Sequence, residues 1–426
     1  MMLDNVLLKN GRIIDPVNDV DHVSDLLVVG GAIAPVGTAV PDDTRVLDVS
    51  GCWIVPGLID MHVHLREPGE EYKEDIISGT LSAAAGGFTG VVCMPNTKPV
   101  NDSMSVTLFI LDQARKGYAR VYPVGAISKF SKGESLAEFG EMKDAGIVAV
   151  SDDGLPVVDS QLMRRALEYA SDYGLTVISH SEEMSLARNG SMNEGVMSTR
   201  LGLKGIPAAA ESIMVYREIA LSEYTGKPIH IAHVSTAMAT ELIRSAKARG
   251  VRVTAETTPH YFTLTDGAVE GYNTNTKMNP PLRAEEDRQA IRTGLTDGTF
   301  DAIATDHAPH SPLEKEVEFD LAANGIIGLE TSVPLSLELV REGVVSEKKF
   351  VELLSGNPAR ILNLPGGNLS AGMPADVTVI NPDLEFEYHE EDVVSKSKNS
   401  PFLGWKLKGR AVLTMVDGKI MHNLLQ

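Results

Sequence analysis

Between residues 57 and 305 the chain repeats one pattern eight times: a short, nearly continuous apolar run, then a longer stretch with helical spacing. The runs fall at 57–62, 89–94, 121–125, 147–151, 175–180, 228–233, 251–256 and 301–305. A strand that is apolar throughout must be covered on both faces, which a parallel sheet flanked by helices provides. The intervening segments carry their own boundary signals. Ser160 is placed to cap a helix that Gly174 ends, and Thr236 and Gly250 bracket another. Eight such units predict an α/β fold built on a (β/α)8 TIM-like barrel. A doubly wound open sheet is the rival, but no Gly-x-Gly-x-x-Gly follows the first run.

The two ends of the chain read differently. Val6-Leu-Leu, Arg12-Ile-Ile, Leu26-Leu-Val-Val and Ile33-Ala-Pro-Val are strand-like, and no helical period precedes about residue 70. Near the C-terminus, Ala375–Ile380 and Ala411–Val416 are similar, the latter followed by the turn pair Asp417-Gly418. We expect these ends, 1–55 and 366–426, to form a small β-sandwich domain beside a barrel spanning 56–365.

The chain has 426 residues, 43% of them apolar, enough for a large core. A formal charge of −20 opposes nucleic acid or an anionic membrane as partner, and an anionic ligand must meet locally positive groups. No apolar run approaches bilayer length, and Cys52 and Cys93 lie in apolar surroundings that suit reduced thiols. The expectation is a soluble, cytoplasmic protein.

In a barrel of this kind the site lies at the C-terminal ends of the strands. The first run ends in His62-Val-His64, and residues i and i+2 of a strand share a side, so both imidazoles can reach one cation. Strand four ends in Asp152 and Asp153, strand five in His180, strand six in His233, and strand eight in Asp306. His260, His307 and His310 also fall at or beyond such ends. Four imidazoles and two carboxylates suffice for one or two borderline divalent ions such as Zn²⁺, with a carboxylate to bridge. Adjacent strand residues point opposite ways, so only one of Asp152 and Asp153 can serve, and spacing alone does not choose.

The motifs His62-Val-His64-Leu-Arg66-Glu-Pro-Gly69, Met94-Pro-Asn-Thr97, Ser151-Asp-Asp-Gly154, Lys277-Met-Asn-Pro-Pro-Leu-Arg283, Ala304-Thr-Asp-His-Ala-Pro-His310 and Ser395-Lys-Ser-Lys-Asn-Ser-Pro-Phe402 resemble the type I dihydroorotases of the amidohydrolase superfamily. The resemblance runs from about residue 5 to about residue 420. It implies reversible cyclisation of N-carbamoyl-L-aspartate to dihydroorotate in pyrimidine biosynthesis. It also implies Zn²⁺, one or two ions per subunit, with His62 and His64 on the first, His180 and His233 on the second, and Asp153 as bridge. Asp306 would be the general acid/base and touch the first metal. His64, Arg66, Asn96, Asn279, His310 and Asn324-Gly325 would contact the substrate. The family often has Phe where this chain has Asn324. A homo-oligomer, a dimer, and association with aspartate transcarbamoylase are further expectations of the resemblance.

Chemistry supports these roles. Opening a cyclic amide needs a nucleophile, a polarised carbonyl and a proton for the departing nitrogen. A bound divalent ion brings the pKa of water to about 7 and polarises the carbonyl. Asp306 can take and return the proton, with a pure ligand role as its rival. Arg66 offers a planar fork to a carboxylate, unless it merely pairs with Glu67 or Glu70. Lys129, carboxylated by CO2, is the alternative bridge. The rival functions are another cyclic amidohydrolase (hydantoinase, dihydropyrimidinase or allantoinase), whose ring lacks the carboxylate, and a noncatalytic partner subunit.

Overall fold

The computed structural model describes residues 5–425; the outermost positions of the expected terminal domain, 1–4 and 426, lie outside the described residues. All eight apolar runs form barrel strands: Leu58–Val63, Phe88–Cys93, Arg120–Gly125, Ala149–Val150, Thr176–Ser179, Ile229–Ile231, Val253–Thr257 and Ala302–Ile303. They pair in chain order, parallel throughout. Closure between the eighth and first strands relies on a few bonds. His64 N–H donates to His307 O at 2.8 Å, and the Asp60 carboxylate accepts from Thr305 N–H at 3.1 Å where a ladder bond would otherwise stand. Strands four and eight are shorter than expected at both ends, and Asp153 and Asp306 lie in the loops that follow them.

The helices follow from spacing and caps. Ser160–Asp172 buries Met163, Ala166, Leu167 and Ala170, one stripe at three- and four-residue intervals. Burying Met163 or Leu167 contributes about 1.5–3 kcal/mol each. The expected cap is displaced by one residue. Asp159, not Ser160, accepts from Leu162 N–H at 2.8 Å, since a carboxylate meets the helix N-terminus better than a hydroxyl. Ala237–Ala248 begins beneath Thr236 as expected, with Ala239 N–H donating to the Thr236 hydroxyl at 3.2 Å.

The chain ends pair into one eight-stranded, β-rich sheet in the order Lys419–Asn423, Lys406–Val416, Val377–Glu387, Trp53–Pro56, Val6–Asp15, Val20–Val29 and Ala32–Ile33, with Arg45–Asp48 also on Val6–Asp15. The join is antiparallel, Val377 opposite Pro56 and Ile380 opposite Trp53. Its core is separate from the barrel's and draws on both ends, with Val6, Leu8, Val28, Ile54, Val377 and Leu413 among its members. Asp417 and Gly418, at φ 49° and 74°, make the tight hairpin read from the sequence. Thr378 and Thr414 hydroxyls donate to Gly87 O and Ala84 O at 2.6 and 2.7 Å, fastening the sheet to the first barrel helix.

Candidate active site

Two groups of buried donors share one carboxylate. His62, His64 and Asp153 form one, Asp153, His180 and His233 the other, and in each the ligating atoms lie within 4.8 Å of one another. Asp153 Oδ1 is 3.3 Å from His62 Nε2 and 3.5 Å from His233 Nε2, and its Oδ2 is 3.5 Å from His64 Nε2. His180 Nδ1 is 2.9 Å from His233 Nε2. His62 Nε2, Asp153 Oδ1, His180 Nε2 and His233 Nδ1 are buried without a hydrogen-bond partner. Buried polar atoms are ordinarily paired, so the unpaired His62 Nε2 and Asp153 Oδ1, within a nitrogen and oxygen donor set that converges on Asp153, fit a divalent cation. Arg66, His233 and Asp306 all sit at positive φ (62°, 35° and 49°), a strain that concentrates where side chains must be aimed.

Asp152, in the loop after strand four, is directed away from the donor groups. Its carboxylate accepts from Ser128 N–H at 3.0 Å and from the Ser128 hydroxyl. The choice left open by spacing therefore falls on Asp153. Lys129 lies on the surface, 2.9 Å from Glu138.

The imidazoles are aimed by groups that the strand-end reading missed. Glu256, at the end of the seventh run, accepts from His62 Nδ1–H at 2.9 Å and pairs with His230 Nε2 at 3.1 Å, while His230 Nδ1 meets Thr254 Oγ1 at 2.8 Å. Holding Nδ1–H in this way turns His62 Nε2 toward Asp153. Burial alone would raise the Glu256 carboxyl, but His230 and His62 hold it well below its ordinary range. Glu182 lies 3.6 Å from His180 Nε2 and accepts from Asn279 Nδ2 at 3.2 Å. The signal was present: both are carboxylates at, or two residues past, the end of an apolar run. Of the remaining strand-end histidines, His307 accepts from Gly328 N–H at 3.1 Å, and His260 packs on Tyr261, pushed down to about 3 by burial. Neither joins the two donor groups.

Asp306 faces the first group, 3.1 Å from His64 Nε2 and 3.6 Å from His62 Nε2. Burial would raise its carboxyl, yet His64 and His62 bring it down to about 2, so it stands ionised. Arg66 is buried, donating from Nε to Pro309 O and from Nη2 to His310 Nε2, both at 3.2 Å. The rival pairing does not form: Glu67 accepts from Ile76 N–H, and Glu70 binds Lys73 and Lys98. Burial, followed by the charges of Arg66, Lys73 and Lys315, pulls His310 down to about 3 and keeps it a neutral acceptor for Arg66. Asn96 Oδ1 accepts from His64 Nδ1–H at 2.9 Å, which leaves its amide nitrogen for a ligand. Asn279 keeps a buried Oδ1 without a partner. Asn324 is exposed, while Gly325 is buried with N–H on Lys277 O and O accepting from Lys315 and Asn399. A Cβ at Gly325 would stand 2.5 Å from that of Ala308, so only glycine lets this segment close on His310.

The comparisons agree with this architecture. A family model described as Dihydro-orotase-like matches residues 51–239. The dihydroorotase of Geotalea daltonii is 60% identical over 421 residues, covering 98% of this chain and 99% of that one. That of Desulfotalea psychrophila is 61% identical over 414 residues, 97% and 98% of the two chains. Among solved structures, L-hydantoinase (dihydropyrimidinase) from Arthrobacter aurescens matches with a TM-score of 0.89 at 26% identity, covering all of this chain and 97% of the other. Near full-length identity at this level, on a barrel whose strand ends carry the shared-carboxylate donor groups, places the chain in the dihydroorotase family of the amidohydrolase superfamily.

Proposed function

We infer that the chain is a dihydroorotase, a metal-dependent cyclic amide hydrolase that interconverts N-carbamoyl-L-aspartate and (S)-dihydroorotate plus water. The observation that carries the reading is the placing of Arg66 and His310 beside two donor groups that share Asp153. In this reading His62, His64 and Asp153 would hold one Zn²⁺, and Asp153, His180 and His233 a second. When bound, such an ion makes a nucleophile of water at neutral pH and polarises the amide carbonyl. In ring opening, Asp306 takes the proton of the attacking water and delivers it to the ring nitrogen as the carbon–nitrogen bond breaks. In ring closure the same carboxylate removes the proton from the carbamoyl nitrogen and returns it to the departing oxygen. Arg66 binds the ring carboxylate, with Asn96 and Asn279 as further substrate contacts. His64, Arg66, Asp306 and His310 are all nearly buried, which shields these contacts from water and strengthens them.

Hydantoinases, dihydropyrimidinases and allantoinases are the nearest rival activities, but their rings bear no carboxylate to engage Arg66. A noncatalytic subunit would have no use for a full donor set. The same reading divides the chain into a β-sandwich domain, 1–55 with 366–426, and a catalytic barrel, 56–365. It carries a cytoplasmic location, a dimer, and association with aspartate transcarbamoylase, which sedimentation of the chain alone and with that enzyme checks. Among the described residues no helix is long and apolar enough to cross a membrane. Adding the Zn²⁺-loaded protein to dihydroorotate should lower its absorbance as the ring opens. Faster turnover of uncharged dihydrouracil or hydantoin would refute the assignment.

A further inference from the structure

The segment 395–402 belongs to the C-terminal part of the chain, yet it runs across the barrel mouth. Val394 and Ser395 N–H groups donate to the Glu330 carboxylate at 2.9 Å, and the Ser397 hydroxyl donates to Lys73 O at 2.7 Å. The Ser395 hydroxyl bonds Glu74, and Ser395, Ser397, Asn399 and Ser400 are all buried. Within this strap Asn399 uses both ends of its side chain. Nδ2 donates to Ala308 O at 3.0 Å and to Gly325 O at 3.1 Å, Oδ1 accepts from His310 N–H at 3.1 Å, and its own carbonyl accepts from Ile327 N–H at 3.1 Å. One amide thus joins the loop after strand eight, which carries His310, to the segment that carries Gly325. The Lys315 ammonium reinforces the join, donating to Gly325 O at 3.1 Å and to Ala323 O at 2.9 Å.

We propose that Asn399 is a positioning residue for recognition of the substrate's ring carboxylate, holding His310 from behind so that His310 in turn fixes the Arg66 guanidinium. The proposal rests on the dihydroorotase reading and adds to it a determinant that comes from outside the barrel. The chain of contact is short: Asn399 to the His310 backbone, His310 Nε2 to Arg66 Nη2. Asn399 itself reaches neither the donor groups nor Asp306 through any of these bonds, so its effect should fall on carboxylate binding and spare the chemical step. Removing the amide leaves His310 N–H and Ala308 O buried and unpaired and Gly325 O held by Lys315 alone, a cost the loop can relieve only by shifting.

The test uses the Zn²⁺-loaded full chain, with one ligand that carries the recognised carboxylate and one that lacks it. Dihydroorotate carries the ring carboxylate; N-carbamoyl-β-alanine is the open chain without the corresponding α-carboxylate and serves as a competitive inhibitor. Asn399→Ala should raise KM for dihydroorotate roughly 10- to 100-fold, with kcat, zinc content and the inhibition constant of N-carbamoyl-β-alanine changing by less than about threefold. Lys315→Met, which removes the second hold on Gly325 without touching the strap, should show the same selectivity at smaller size and keeps the test available if the first variant is insoluble. Equal weakening of both ligands in either variant would reduce the strap to general support and overturn the proposal, as would an unchanged KM. A wild-type chain inert toward dihydroorotate would instead refute the activity itself.

Discussion

Unpaired buried polar atoms gather at the barrel mouth, whereas in the terminal sheet they are sparse, His422 Nε2 being one. In the sheet, the buried Asp15 carboxylate is satisfied, accepting from Leu369 N–H and Asn18 Nδ2, both at 2.7 Å, and the core around it is aliphatic. At the barrel mouth His62, Asp153, His180, His233, Asn279 and His310 each keep a buried polar atom with no partner. An unsatisfied buried group costs about 1–3 kcal/mol, and six together are a large fraction of a domain's net stability. The difference teaches where stability is given up for a ligand: the sheet holds the chain ends together, and the mouth gathers the donors that a cation and a substrate need.

The sharpest way to break this comparison is to damage each region in turn. His62→Ala with His64→Ala removes two of the three side chains in the first donor group, and should abolish activity and lower the zinc content measured after dialysis. Leu413→Ala in the sheet core should cost about 2–5 kcal/mol of stability while leaving turnover per folded molecule intact. Loss of kcat in Leu413→Ala at a temperature where it is folded would show that the sheet tunes the site and is more than a clasp.

Asp306→Asn comes next in size. Asparagine keeps the shape but accepts no proton, so kcat should fall about 10²-fold while zinc content changes much less. An active variant with an unaltered pH profile would send the proton elsewhere. A variant that instead loses its zinc would move Asp306 from proton relay to ligand, the rival its 3.1 Å approach to His64 keeps alive.

The same contrast explains how much could be read from the sequence. Apolar strand cores obey a pattern, so all eight barrel strands and the Asp417-Gly418 hairpin were legible from periodicity and turn chemistry. The donors were legible too, because strand ends in a barrel converge and a carboxylate or imidazole there is conspicuous. What escaped depends on distances between remote segments. Glu256 stood at the end of a run, but nothing in its spacing says that its partner is His62, 194 residues away. Asn399 lay within a quoted motif, and only the folded strap brings it to His310, 89 residues earlier. Asp159 and Ser160 are both good caps, and one residue of register is beyond what propensity resolves.

The smallest expected effect belongs to Lys129, and it tests whether the shared carboxylate is complete as encoded. Bridging two ions through a lysine requires an amine that is unprotonated long enough to capture CO2 and a side chain among the donors. Lys129 meets neither condition. It sits in the 3-10 turn Lys129–Ser131, with 45% of its side chain exposed and its ammonium 2.9 Å from Glu138, whose hydrogen bond raises its pKa and keeps it charged. Asp153 already carries the negative charge that a carboxylated lysine would have to acquire, and it lies in both donor groups. An exposed ion pair contributes little, so Lys129→Ala should leave kcat/KM within about twofold of the parent. Zinc reconstitution of either protein should proceed equally well with and without bicarbonate. A bicarbonate requirement confined to the parent, together with the mass of one CO2 on Lys129, would give the bridge to the lysine and leave Asp153 to orient the histidines around it.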